Sequence, residues 1–517
     1  MSAFRLGPPA FLVALAAGVV FAGDPPKPVV ARVTPAADTT VATGPVDKDG
    51  FIDYETALNE RMRGKITPNS NAVVLLFAAI GPKPEGAELH ADFYTWLGTP
   101  PPALDGAYLT PAEKFFPEAR GDTLEAFYEF YGELRKTPWT AQAQPRFAAW
   151  LAGNEKPLLA VTDAAERPDY YYPFVSRPRD DSPRLLIGAL LSLVQKVRVL
   201  APMLGARAML RCGEKQYDAA WADLLAVHRL GRLMSKGASI IEMLVGIAID
   251  AIARADTLAF LEHAPLTATQ LAKCRADFEK LPPMAAAADK LGLSERFTYL
   301  DVMQSIRQYG FHPELQVIDL PTPNVDRKRV AAVLADLDWD RVLRRGNRWY
   351  DRFETALRKP TRAARLTALT DLEAELGTAT DGTDLTALFK GYTAEKRAAA
   401  SDAFALPLVQ ALLPAVRKVQ EASDRHEQNR RTLAVAFALA AYRAEYDESP
   451  EKLADLVPRH LAAVPRDLYN GKPLVYKRTA AGYEVYSVGV NGTDDGGRLM
   501  TDTPRGDDLG VRLPATR

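Results

Sequence analysis

The chain has 517 residues, 64 of them basic and 65 acidic, for a formal net charge of -1. Near-neutrality excludes a global field that would draw the chain to nucleic acid or an anionic membrane. A hydrophobic content of 47% and a charged content of 25% are ordinary for a folded water-soluble protein,, and the length predicts about two to four domains.

The first element follows Arg5. Phe11 to Ala22 is an apolar run, too short for a comfortable bilayer span, and it ends on small residues at Val20-Phe21-Ala22,. Residues 1–22 read as a secretory signal in preference to an anchor, with cleavage after Ala22,. Residues 23–50 are rich in Pro, Thr and small side chains and read as a flexible tether,. No later stretch runs eighteen apolar residues without interruption, so no membrane span is expected after signal removal,.

Residues 51–420 read as a helical domain. "NSNAVVLLFAAIG" places Asn and Ser caps before an apolar run, and Gly81-Pro82 stops it,. "LGTPPPALDG" is a loop, Phe116 to Leu134 is amphipathic, and Gly153-Asn154 breaks a helix pair,. In "RPDYYYPFVSRPRDD", Tyr170, Tyr171 and Tyr172 lie between prolines, with Arg167 and Arg177 on either side. Aromatic faces beside guanidinium groups suit a sugar, peptide or aromatic ligand. The same tyrosines would equally serve to staple helical hairpins together.

The clearest helical periodicity runs from Pro183 to about Pro265,. Within it, "ARAMLRCGEKQYDAAWADLLAVHRLG" resembles a tetratricopeptide-type hairpin, with Gly213 ending one helix and Tyr217, Ala220 and Leu224 on the packed face of the next. No fixed period repeats it, so one or two hairpins are expected in place of an array. Cys212 and Cys274 both fall in helical stretches, as a pair or as two buried thiols,. Residues 312–329 read as a linker that divides the helical domain or as a surface excursion from one unit. Beyond it, Asp340 and Arg344 stand four apart in a charged stretch that reads as a solvated helix face, with Arg344, Arg345 and Arg348 as an alternative basic patch,.

Residues 423–517 change character. A helix to about Tyr446 precedes two strand candidates, "PLVYKRT" and "GYEVYSVGV", spaced as a hairpin,. The fold class is therefore mainly α: a large multi-helical domain, TPR-like in part, followed by a small α+β domain with an antiparallel sheet.

Catalytic signatures are missing at the level of spacing. The 6 histidines include no pair four apart around a glutamate, and no G-x-S-x-G elbow occurs,. The stretch "YSVGVNGTDDGGR" is different. Its glycines lack the Lys-Ser/Thr of a phosphate loop, and its acids lack EF-hand spacing,. Asn491, Asp494, Asp495, Asp507 and Asp508 could supply side-chain oxygens to Ca²⁺, which takes six to eight oxygen ligands,. Gly492, Gly496 and Gly497 would let carbonyls turn inward,. The alternative is an Asx-rich turn without metal.

The order of motifs over residues 423–517 resembles the globular part of the major pseudopilins of type II secretion. The matching pieces are Ala441-Tyr442, Ser449-Pro450, Leu453 to Leu456, Pro465-Arg466-Asp467, Gly471 to Tyr476, Tyr486 to Gly492, Gly496-Gly497 and Asp507-Asp508-Leu509. The resemblance implies a calcium loop at the last three, with Asn491 standing where that family has an aspartate and so lowering the ligand charge. It departs in placing the helix after four hundred residues, with charges at its start, where it cannot enter a pilus core in the family's way. The whole chain also resembles a group of secreted proteins of planctomycete-type bacteria, on "NAVVLLFAAIGP", "WLAGNEKPLLAVTDAAERPDYYYP" and "HRLGRLM…LVGIAID". That likeness bears on architecture and not on activity.

These readings lead to an exported, periplasmic or extracellular, non-enzymatic binding or scaffold protein of the cell envelope. Its C-terminal module would be held by calcium, with envelope proteins and not nucleic acid as partners. Two alternatives are a component associated with the secretion apparatus and an enzyme whose carboxylates are scattered through the helical domain.

Overall fold

The computed structural model describes residues 33–84, 88–119, 121, 123–176, 184–189, 191–312, 315, 322–413, 415–480 and 482–514. The signal-sequence reading of residues 1–22 and the candidate ligand residue Arg177 lie outside the described residues. The chain is mainly helical, with a small three-stranded antiparallel sheet at its C-terminal end.

The helix starts follow local chemistry. Asp53 caps the Tyr54–Arg63 helix by accepting the Thr56 amide at 2.9 Å, and Asn71 caps Ala72–Ile80 by accepting the Val73 amide at 3.1 Å,. Gly81, at φ 85°, ends the second of these,. Ser239 and Glu242 form a reciprocal capping box on the Ile240–His263 helix,.

The expected hairpin forms between the Ser192–Gly213 and Tyr217–Ser235 helices, with Ala220 and Leu224 fully buried and Tyr217 packed against the same core. Gly213 is fixed by crowding as well as by its place at the helix end: a Cβ there would lie 2.0 Å from the Trp139 carbonyl oxygen. Cys212 and Cys274 are separate buried thiols. Arg344 pairs with Asp38 at 2.7 Å and with Asp340 at 3.9 Å, so the first arginine of the suggested basic patch belongs to an ion-paired face.

The Tyr217–Ser235 and Ile240–His263 helices approach closely at a glycine pair. A Cβ on Gly246 would lie 2.4 Å from the Gly231 carbonyl oxygen and 2.9 Å from the Ser235 amide nitrogen, both backbone atoms that cannot step aside. Gly246→Ala is expected to cost about 1–3 kcal/mol by overpacking. Gly377→Ala, in the Arg362–Thr380 helix with no atom within 4 Å of the new methyl, is expected to stabilise by about 0.4–1 kcal/mol. Urea unfolding midpoints of the two variants check both signs.

Two clusters of buried side chains organise the molecule, and neither follows a contiguous stretch of chain. The first joins residues between Ala72 and Phe278 to residues between Leu433 and Leu513; the second joins Ala42–Leu58, Phe174–Leu186 and Ala238–Val419. The Val416–Tyr446 helix belongs to both: Val416 and Val419 sit in the second cluster, and Leu433 through Ala441 in the first. The stretch Ala394–Tyr446 has a window apolar and long enough to cross a membrane, but 53% of that window is buried within the protein. Core packing accounts for the apolar residues of its second half.

The sheet runs β1 (Val475–Arg478), β2 (Tyr483–Ser487) and β3 (Leu509–Leu513), in that order. Val475 and Gly510 flank Tyr486 in register. The hairpin β1–β2 matches the sequence reading; β3 is an addition to it, formed by "LGVRL", which supplies the second neighbour of β2. Arg254 of the Ile240–His263 helix donates to the Gly510 carbonyl at 2.7 Å and ties β3 to the helical body.

Candidate metal centre

The loop from Val488 to Asp508 leaves β2 and returns as β3, and its two ends are clamped. Asp467, 2% exposed, accepts the Ser487 hydroxyl at 2.9 Å, the Val488 amide at 2.9 Å and the Tyr469 amide at 2.8 Å. Gly489, at φ 68°, passes so close to the other end that a Cβ would lie 2.0 Å from the Asp507 carbonyl oxygen. Only glycine meets both conditions, the left-handed backbone and the missing side chain. Lys477 of β1 donates to the Gly496 carbonyl at 3.0 Å and lies over the Tyr486 ring.

Within this frame three carboxylates converge. Asp495, Asp507 and Asp508 each offer an oxygen, and the three oxygens lie within 4.8 Å of one another. Two oxygens bound to one calcium ion at 2.3–2.6 Å can be at most about 5 Å apart, so the spacing fits a single ion. Asp507 Oδ2 accepts the Asn491 amide at 2.8 Å, and Asp508 Oδ2 accepts the Gly497 amide at 2.8 Å. The other oxygen of each, Asp507 Oδ1 and Asp508 Oδ1, is buried without a hydrogen-bond partner. A buried unpartnered carboxylate oxygen is costly, and a cation supplies the missing partner.

The electrostatics agree. Burial pushes the Asp508 carboxyl up, against the Gly497 amide, and the charges of Asp495 and Asp494 push the same way. Asp495 is held down, first by the Asp507 amide, with Arg498 contributing. Arg498 stands 3.6 Å from Asp495. The nearby Arg512 is engaged elsewhere, by Glu484 at 2.6 Å and Asp502 at 2.9 Å. The triad could therefore hold a metal ion, and its all-oxygen donor set is that of a hard cation.

The five expected ligands divide. Asn491 and Asp494 shape the loop: Asn491 Oδ1 accepts the Thr493 amide at 2.6 Å, and Asp494 Oδ1 accepts the Gly496 amide at 2.8 Å and the Tyr486 hydroxyl at 3.0 Å. Both are Asx turns of the kind weighed as the alternative reading. The Asn491 side chain also contributes, as the smallest cause, to holding the Asp495 carboxyl down. The clamp of Asp467 on Ser487 and Val488 spans 20 and 21 residues, and no sequence spacing reveals it.

The tyrosine stretch is closed. Tyr170 and Tyr171 are 2% exposed and Tyr172 is 4% exposed. Their hydroxyls meet Glu242 at 3.1 Å, Asn59 at 3.0 Å and Ser192 at 3.1 Å. Asn71 braces the same segment, donating to the Tyr171 carbonyl at 2.9 Å and accepting the Tyr171 amide at 3.0 Å. The three rings thus join separate helices, and Arg167 beside them is half-buried. Burial also pushes up the carboxyls of Glu55 and Asp301, Asp301 to about 7. Each accepts a backbone amide from the neighbouring segment, Ser176 at 2.9 Å and Leu186 at 2.8 Å, which is a structural use.

A second concave feature lies in the helical body. It is a cleft of ≈ 910 Å³ lined by Pro82, Leu89, Tyr94, Pro101 and Leu104 among others. No family model, curated protein or solved structure matches this chain.

Proposed function

We propose that this protein is an exported, non-enzymatic scaffold of the cell envelope, whose pseudopilin-like C-terminal part is locked by a structural calcium ion at Asp495, Asp507 and Asp508. The observation that carries the calcium reading is the pair of buried, unpartnered oxygens, Asp507 Oδ1 and Asp508 Oδ1, beside a third carboxylate. The ion would stabilise the fold and would not act on a substrate, because the loop it closes joins adjacent strands of a small sheet. Helical hairpins, TPR-like in part, present broad surfaces to partners. The Pro- and Leu-lined cleft supports a binding role for the helical body.

Thermal melting of the full chain in millimolar Ca²⁺ and in chelator tests the ion. Calcium at one hundred times Kd is expected to add about 2.7 kcal/mol, with Mg²⁺ far weaker because the smaller ion demands octahedral geometry. Asp508→Asn separates an ion site from a merely structural acid. In chelator the variant should melt no lower than the parent, since it removes one of three crowded negative charges, a repulsion on the order of 1–3 kcal/mol. In calcium it should melt lower, its Ca²⁺ response gone. Because Asp508 is shifted up by burial, protons compete with the ion and the calcium response should shrink as pH falls. An unchanged melting temperature for the parent with and without Ca²⁺ sinks the calcium reading. The scaffold reading is tested by affinity capture from the native envelope fraction, where recovery of no stoichiometric partner counts against it.

A further inference from the structure

Away from the calcium loop, one buried carboxylate collects three partners from two neighbouring helices. Asp250, in the Ile240–His263 helix, meets His228 Nδ1 at 2.6 Å through Oδ1 and His426 Nδ1 at 3.2 Å through Oδ2. Arg232 also donates to Oδ1, and to the His228 carbonyl at 3.0 Å. His228 and Arg232 belong to the Tyr217–Ser235 helix, and His426 to Val416–Tyr446. Exposures are 0% for His228, 2% for Arg232, 5% for Asp250 and 8% for His426. The second ring nitrogen of His228 is 3.2 Å from the Thr257 hydroxyl, and Phe278 packs edge-on against the ring.

Charge counting gives this cluster a direction. One carboxylate balances one guanidinium; His228 hydrogen-bonds Asp250 through Nδ1, and His426 Nδ1 stands 3.2 Å from it. A further proton on either ring adds a positive charge beside Arg232 in a space closed to water. The nearest other ionisable groups do not compensate it fully. Glu427 is paired with Arg430 at 2.8 Å and with Arg431 at 2.8 Å on the same helix as His426. Glu279, from the Ala268–Glu279 helix, acts on Arg430.

We propose that His228, Asp250 and His426 form an acid-sensitive latch, in which protonation of the two imidazoles loosens the Val416–Tyr446 helix, and with it the C-terminal sheet, from the helical body. Burial, joined by the charge of Arg232, holds both rings below the ordinary value of 6.5, His426 down to about 3. A depressed folded-state value gives stability that is complete above 6.5 and is lost as pH falls toward 3,. Each histidine then changes the folding constant by up to about tenfold per pH unit in that window.

The test is urea unfolding of the full chain at steps between pH 7.5 and pH 5.0, in chelator so that the calcium loop does not contribute. His426→Asn keeps a neutral donor where Nδ1 stands and removes the titration. Its folding constant should fall by about tenfold less per pH unit below 6.5 than the parent's. Hydrogen exchange at pH 5.0, corrected for intrinsic rates, should show amides of Val416–Tyr446 losing protection ahead of those in the Trp339–Leu357 helix,. Equal pH slopes in parent and variant overturn the latch. Should the variant not fold, NMR titration of the parent decides: a His426 ring still neutral in the folded chain at pH 5.0 supports the latch, and one titrating at its ordinary value overturns it.

Discussion

Asp223→Ala should cost about 3–5 kcal/mol of folding stability, because it strands a buried guanidinium. Asp223 is fully buried and accepts Arg207 through both oxygens, Nε at 3.0 Å and Nη2 at 2.6 Å, with Arg211 adding a third bond at 2.8 Å. Arg207 is itself 3% exposed. Its remaining partner, Glu155 at 3.0 Å, has a side chain 46% exposed and shares its charge with solvent. The pair joins the Ser192–Gly213 and Tyr217–Ser235 helices, with Glu155 reaching in from Glu155–Ala165. The loss should appear in the urea midpoint. Replacing both partners with apolar side chains, Arg207→Met with Asp223→Leu, should recover most of it, since the cost lies in the unpaired charge. A single variant as stable as the parent would show that water reaches Arg207 and that the site is not sealed.

Phe437→Ala is the second large loss, about 3–5 kcal/mol. The ring is fully buried in the Val416–Tyr446 helix. It meets Trp221 edge-on at 5.5 Å and Phe278 at 5.6 Å, so it packs on two helices of the helical body. Truncation leaves a cavity beside two aromatic rings, which cannot collapse around a methyl group. Calorimetry of the full chain is the measurement, read together with limited proteolysis between the helix and the sheet. A shift confined to a minor, separate transition would mean that the C-terminal residues melt on their own.

Local chemistry was legible in the sequence and long-range convergence was not. Asn71 and Gly81 are adjacent to the helix ends they cap, and their roles follow from spacing. The Ala220 and Leu224 face of the hairpin is also local, set by helical period. The cation loop was half legible. Its oxygen-rich composition announced a candidate, but which oxygens meet depends on β3 returning beside β2, and a short strand of Leu, Gly and Val carries little signal of its own. So Asp494 and Asn491 stood level with Asp507 and Asp508 in the sequence and separate only in three dimensions. Asp467 clamps the loop across 20 and 21 residues, too far for any spacing rule. The Asp250 cluster draws on residues separated by 22 in sequence and by a helix from the far end of the chain. Isolated histidines carry no such information. The tyrosine sequence reads two ways because rings look alike whether they face a ligand or a neighbouring helix; only burial separates the two.

The helix that belongs to both cores also orders events during synthesis. Residues Leu433 to Ala441 complete a cluster begun at Ala72, so the first core lacks one wall until most of the chain has been made. The helices made early carry an uncovered apolar face while the second core, whose members end at Val419, has all its parts sooner. Such long-range closure is slow and leaves sticky surface open to wrong partners. The nascent chain therefore lacks the ring that packs on Trp221 and Phe278 until Phe437 has been made.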